Sequence, residues 1–253
     1  MKKEVTVDIN KLAQINLEAL KNNHYPGRII ILGMDESKTN LIQVYAIMGR
    51  GTDSRNRILV CDDDGRLETK AADPAKMKDP RLIIYKAMDS IGDAFVVSNG
   101  HQTTPALIHR RDAGNSSLTG LMGLDEWQYE PDKPNYTPRI TGLILNGPAP
   151  CAEILILKKS PFGLDCQKQL YHYQTFQPGY GYCVSTYEGD GDPLPSFEGE
   201  PYLLPLSGTP NEIATEIWGA LNKDNRVSLA VKAIDIETGK STVIIANKYH
   251  AVD

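Results

Sequence analysis

Short apolar runs, each closed by a polar or Gly-containing turn, recur along most of this chain and limit what it can fold into. Arg28–Gly33 and Leu41–Met48 are joined by the polar turn Asp35–Asn40, which predicts a hairpin. Arg57–Cys61, Ala94–Val97, Arg139–Leu145, Ala152–Leu157, Val227–Ile236 and Thr242–Asn247 read as further strands. Tyr171–Phe176 and Tyr182–Tyr187 are expected to pair across Pro178-Gly179, and Glu188–Pro205 reads as a long Gly/Pro-rich loop. Helices fall between these runs without strict strand–helix alternation. The pattern therefore predicts an α+β domain with antiparallel sheets.

Ile9, Leu12, Ala13, Leu17 and Leu20 recur at three- and four-residue steps, which predicts an amphipathic helix over Asp8–Asn22. Thr209–Leu221 is expected to be a helix, with Pro210 near its start and Glu212 three residues after Thr209. Pro105–Arg111 and a short piece of Gly114–Gly123 read as helical. So does Arg81–Ser90, where Leu82, Tyr85 and Asp89 lie about a turn apart. Asp125–Pro138 is aromatic, acidic and proline-rich, and is expected to be an ordered loop.

With 253 residues there is material for a large core, and no repeat, low-complexity tract or linker divides them. A single domain, 1–253, is expected. The net charge of -5 argues against a nucleic-acid partner, which needs a broad basic field. No window approaches a membrane span, and no secretory signal follows the N-terminal Lys pair. The four cysteines, Cys61, Cys151, Cys166 and Cys183, are too scattered for a disulfide framework or a CxxC pair. They read as buried or half-buried free thiols of a cytoplasmic protein.

Motifs for phosphate loops, dinucleotide folds, serine elbows and zinc helices are absent, so no metal or cofactor is expected. The acidic run Glu188–Asp192 reads as a solvated turn, because Pro193 interrupts any calcium-loop spacing. Three features remain. Strand Ala94–Val97 delivers Ser98-Asn99-Gly100 into a polar loop suited to presenting small groups to a ligand. Arg50, Arg55 and Arg57 share one Gly-rich loop, either as a solvated charge run or as forks for phosphate oxygens. Glu130, beside Tyr129, is either an exposed loop acid or a general acid or base desolvated by its aromatic neighbours.

These residues, taken in order, resemble a known family. Tyr25-Pro-Gly27-Arg28-Ile29, Tyr45, the Arg50–Arg55 loop, Ile84-Tyr85, Gly92-Asp93 and Val96-Val97-Ser98-Asn99-Gly100 are similar to the archaeal-type IMP cyclohydrolases. Tyr129-Glu130, Asn135-Tyr-Thr137-Pro138-Arg139-Ile140 and Ser185-Thr186-Tyr187-Glu188 continue the resemblance. It implies a four-layer αββα sandwich like that of the N-terminal-nucleophile hydrolases, with 1–24 as a helical extension. It also implies closure of 5-formamidoimidazole-4-carboxamide ribotide (FAICAR) to IMP with loss of water, and a homo-oligomer. By the same resemblance Tyr85 and Glu130 are proton donor and acceptor, in an order left open. Ser98, Asn99 and Gly100 orient the base or the formyl group, Arg50 and Arg55 clamp the 5′-phosphate, and Arg28, Asn135 and Arg139 support the pocket. The chain departs from the family at Asp53-Ser54, at His101-Gln102 and in an insertion over Phe162–Pro178. A relative acting on another ribotide or amide, and a silent nucleotide-binding protein, therefore stay as alternatives.

Overall fold

The computed structural model describes residues 8–77, 79–81, 83–113, 117–124 and 126–251, with only the backbone of 109–113. These residues form thirteen strands in two antiparallel sheets, with five α-helices and one short 3-10 helix at Pro74–Lys76. The six-stranded sheet is built from β1 (Arg28–Met34), β2 (Asn40–Met48), β10 (Tyr180–Ser185), β11 (Tyr202–Pro205), β12 (Arg226–Asp235) and β13 (Ser241–Asn247), in the order β11-β10-β1-β2-β12-β13. The seven-stranded sheet runs β3 (Ile58–Cys61), β4 (Leu67–Lys70), β5 (Lys86–Ile91), β6 (Ala94–Ser98), β7 (Arg139–Leu145), β8 (Cys151–Lys159) and β9 (Cys166–Tyr173), in chain order.

Three apolar layers hold these elements together. Ile30, Leu32, Tyr45 and Ala230 of the first sheet meet Leu67, Val97, Ile140 and Ile154 of the second, forming the core between sheets. On the outer face of the first sheet, Leu17 and Leu20 of α1 (Ile9–Asn22) and Ile213 and Ile217 of α5 (Pro210–Ala220) cover Ile31, Val44 and Leu229. On the outer face of the second, α3 (Thr103–Ala113) and α4 (Thr119–Met122) bring Leu107 and Leu121 onto Val96, Leu143 and Leu155. The result is the expected α+β sandwich in four layers, helix–sheet–sheet–helix. Central strands such as β1 and β2 are buried on both faces, which explains their near-continuous apolar runs.

Local signals held where chemistry dictated them. Asp8 caps α1 through Lys11 N–H, and Thr209 and Glu212 form the reciprocal capping box of α5. Several expectations need correction. Arg81–Ser90 is not helical: from Lys86 it is strand β5, and Leu82 lies outside the described residues. β5 is covered by the inter-sheet core on one face and α3 on the other, so Ala87, Met88 and Asp89 are all buried and no two-residue period shows. The informative signal is the next pair. Gly92-Asp93 is a two-residue hairpin turn with Gly92 at φ 56°, and Ile91 pairs with Ala94.

Tyr171–Phe176 and Tyr182–Tyr187 do not pair either. β9 hydrogen-bonds to β8 in one sheet and β10 to β1 in the other, so Pro178-Gly179 is a crossover between sheets. The tyrosines meet through their rings instead, Tyr173 stacking on Tyr182 at 3.6 Å between centroids. Phe162–Pro178, read above as an insertion, contains β9, and Glu188–Pro205 ends in β11 rather than remaining a loop. The four cysteines are free, but Cys61 is exposed, because it ends the edge strand β3. Among the described residues no helix is long and apolar enough to cross a membrane.

Candidate active site

One end of the sandwich opens into a cavity of about 330 Å³, in the size range of small-molecule sites. Its wall includes Arg28 from the first strand, Arg50, Asp53, Ser54 and Arg57 from the β2–β3 loop, Glu130, Asn135 and Thr137 from the proline-rich loop, and Tyr25 and Tyr187.

Each of these is held by its local chain. Gly27, at φ +79°, lets the start of β1 lie against Thr186 and Tyr187. A Cβ there would come within 2.2 Å of the Thr186 hydroxyl. Arg28 N–H then donates to Thr186 Oγ1 at 3.1 Å, and Thr186 N–H returns to Arg28 O at 2.9 Å, aiming the Arg28 side chain into the cavity. The β2–β3 loop turns once as α2 (Thr52–Arg55), with Ser54 Oγ bonded to both backbone groups of Gly51. That turn separates the arginines. Arg50 lines the cavity, stacks over Tyr25 at 5.0 Å and pairs with Asp190. Arg57 lies deeper and Arg55 points away. Arg55 donates to Gly49 O at 2.9 Å and Asn225 Oδ1 at 3.2 Å and lines a second cavity, about 460 Å³, whose wall also includes Arg50.

Glu130 is buried in the floor. Its backbone N–H donates to Thr137 O at 2.8 Å, and its carboxyl lies 4.0 Å from Arg28 and 3.8 Å from Arg139. Both separations exceed hydrogen-bond length, so the arginines attract the carboxylate without donating to it. Burial outweighs that attraction and raises the Glu130 pKa above its ordinary 4.5. Thr137 Oγ1 bonds both Asp132 and the hydroxyl of Tyr187, whose pKa burial pushes up to about 12. Asn135 faces the cavity and accepts from Leu194 N–H at 3.0 Å through Oδ1.

Other expected site residues stand behind this wall. The Tyr85 hydroxyl shares a 2.6 Å hydrogen bond with Tyr45, and the residue directly precedes β5 rather than riding on a helix. Ser98 bonds Gly100 O at 2.9 Å and Thr103 at 2.6 Å. Asn99 donates to Pro138 O at 2.9 Å and accepts from Ile140 N–H at 2.9 Å and Gln102 at 3.0 Å, tying the end of β6 to the start of β7. Gly100 permits close approach, since a Cβ there would lie 2.5 Å from the Arg139 guanidinium. Arg139 reaches Gln102 Oε1 at 3.3 Å, stacks on Trp127 at 5.7 Å, and so connects this cluster to Glu130.

The cavity therefore brings together Arg28, Arg50, Glu130 and Asn135, with Arg139 against Glu130; Tyr85, Ser98, Asn99, Gly100 and Arg55 do not line it. Sequence reasoning weighed Arg57 only as one of three possible forks for phosphate oxygens, and assigned no site role to Tyr25, Asp132, Thr137 or Tyr187. Arg57 was one of three arginines in a single loop. Only its place directly before a buried strand distinguished it from exposed Arg50 and half-buried Arg55.

The sequence model of a family described as IMP cyclohydrolase-like protein matches residues 25–240, beginning directly after α1. A protein named IMP cyclohydrolase from Methanosphaera stadtmanae is 29% identical over 164 residues, which are 65% of this chain and 74% of that protein. The chain belongs to the IMP cyclohydrolase-like family.

Proposed function

We propose that this protein is an IMP cyclohydrolase, an enzyme that closes FAICAR to IMP and releases water. The observation that carries the reading, beside family membership, is Glu130. It is a buried carboxyl in the floor of a ligand-sized cavity, near two guanidiniums but hydrogen-bonded to neither. Ring closure needs a group that accepts an N–H proton from the carboxamide, and Glu130 fills that role once ionised. The serine and threonine hydroxyls in the wall are already engaged, Ser54 with Gly51 and Thr137 with Asp132 and Tyr187, which fits chemistry without a covalent nucleophile.

The ribotide lies with its heterocycle over Glu130 and Arg28 and its 5′-phosphate toward Arg50, with Arg55 beyond it in the neighbouring cavity. Asn135 supports the ribotide from the proline-rich loop, and Arg139 holds Glu130. Asn99 and Gly100 keep that wall in place through the Gln102–Arg139 contact. Tyr85, paired with Tyr45 and near Arg28, is the donor for the departing water. Folding the formamide into attack range of the carboxamide supplies much of the acceleration, since well-aligned intramolecular reactions reach effective molarities of roughly 10⁵–10⁸ M.

The test is incubation of the purified protein with FAICAR, following IMP by absorbance. IMP formation is the expected outcome. Tight IMP binding with no turnover would leave a silent nucleotide-binding protein. The reading carries with it the cytoplasmic location and the homo-oligomer implied by the resemblance; sedimentation velocity measures the second.

A further inference from the structure

Arg57 has an unusual electrostatic position. It is 1% exposed, its Nε donates to Ser54 O at 2.9 Å, and its two terminal nitrogens are buried with no hydrogen-bond partner among the described residues. It lines the same cavity as Arg28 and Glu130, and the Nε of Arg28 is likewise unpartnered. Burial and then the charge of Arg28 lower the Arg57 pKa, yet a guanidinium stays protonated at neutral pH. Keeping such a group desolvated and unpaired is costly for the fold, so its free donors point to a guest that supplies the missing acceptor.

Depth identifies which part of the guest that is. Arg50, with 37% of its side chain exposed, is at the mouth, where a phosphate enters still partly hydrated. Arg57 is at the floor with Glu130, where the reacting groups must lie. We infer that Arg57 is a further catalytic residue, whose terminal guanidinium nitrogens hold the formyl oxygen of the substrate as ring closure puts negative charge on it. This rests on the cyclohydrolase reading.

The step balances without another reactant. The carboxamide nitrogen forms a bond to the formyl carbon, the C=O π pair moves onto oxygen, and one N–H proton passes to Glu130. The oxygen takes a proton from Tyr85, the proposed donor, to become a hydroxyl, and Glu130 returns its proton to Tyr85 at the end of the cycle. The C–O bond then breaks as the former formamide nitrogen loses its proton and a C=N bond forms, so one water leaves. A fixed guanidinium binds the oxyanion more strongly than the initial carbonyl, and that difference accelerates the reaction. IMP has lost this oxygen but keeps its phosphate and ribose.

The experiment compares full-length wild type, Arg57→Gln and Arg57→Lys, measuring kcat and KM with FAICAR and IMP affinity by calorimetry. Arg57→Gln is expected to lower kcat about 10²–10³-fold, the usual loss for one oxyanion donor. Arg57→Lys should recover part of it, and IMP affinity should stay within about two-fold in both. A parallel loss of IMP affinity, or a raised KM with kcat intact, would make Arg57 a phosphate or ribose ligand and overturn the inference. Failure of both variants to fold would make Arg57 structural and overturn it equally. A wild type that makes no IMP defeats the cyclohydrolase reading; a wild type and an Arg57→Gln protein with equal turnover defeat this inference alone.

Discussion

Two buried polar clusters meet at the first residues of β7, and Arg139 touches both. Around Asn99 the polar contacts close within the protein, apart from the Thr141 hydroxyl opposite Ser98: Pro138, Ile140 and Gln102 share the Asn99 amide, while Ser98 and Thr103 share a proton nearby. Around Glu130, the side chains of Arg28 and Arg57 keep buried nitrogens without partners among the described residues, and the ion pairs of Glu130 lie at 3.8–4.0 Å. The two clusters are similarly dry and differ in satisfaction. A closed network rigidifies a fold, whereas an open one holds donors ready for something the chain itself does not supply. On this contrast we propose the Ser98-Asn99-Gly100 loop as scaffold and the arginine–glutamate floor as the place of chemistry.

The largest effect should come from the open cluster. Glu130→Gln keeps the shape of the side chain and removes the base, so kcat should fall about 10²–10⁴-fold with a folded protein and IMP binding largely kept. The pH profile gives a second view. A base works when deprotonated, so kcat in the wild type should rise with pH through a pKa above the ordinary 4.5, because burial lifts that of Glu130. That acid limb should vanish in Glu130→Gln. Normal turnover by this variant would remove the carboxyl from the mechanism and, with it, the contrast between the clusters.

The closed cluster should respond in stability instead. Asn99→Ala strips the partner from Ile140 N–H and Pro138 O, both buried, and from the Gln102 amide. The expected cost is about 2–4 kcal/mol in chemical denaturation, since each orphaned buried group costs roughly 1–3 kcal/mol. Arg57→Gln should shift stability by about 1 kcal/mol or less, because it discards a charge that the fold leaves unpaired. The reverse ranking would mean that satisfaction does not separate scaffold from site here.

Much of the scaffold was legible because local chemistry speaks for it. The caps of α1 and α5, the β1–β2 hairpin and the strands on either side of Asn146–Pro150 follow from side-chain spacing and turn residues. What was not legible depends on contacts remote in sequence. β5 imitates a helix because two different layers bury its two faces, and the tyrosine strands β9 and β10 look like a hairpin although each belongs to a different sheet. The site shows the same limit. Glu130 and Arg28 stand out beside their motif residues. Only its place directly before a buried strand sets Arg57 apart from Arg55 in the sequence, and a one-turn helix sends one inward and the other toward a neighbouring cavity. Gln102, a departure from the family pattern, is explained by packing alone: its amide bridges Asn99, Ile140 and Arg139.

The smallest effect should belong to His101, the other departure in that loop. It is exposed, its Nε2 lies 2.8 Å from Arg81 O, and its ring meets the edge of Tyr85 at 6.2 Å, on the side away from the cavity. One exposed hydrogen bond and one loose ring contact are together worth about 1 kcal/mol or less. His101→Ala should therefore leave kcat/KM within about two-fold and lower stability by about 0.5 kcal/mol, close to the ordinary range for surface substitutions. A ten-fold fall in kcat would be informative, because the His101 ring contact leads to the reaction through Tyr85. The phenol pair Tyr85–Tyr45, proposed above as the proton donor, would then be held from its far side, and the site would extend to His101 rather than end at Tyr85.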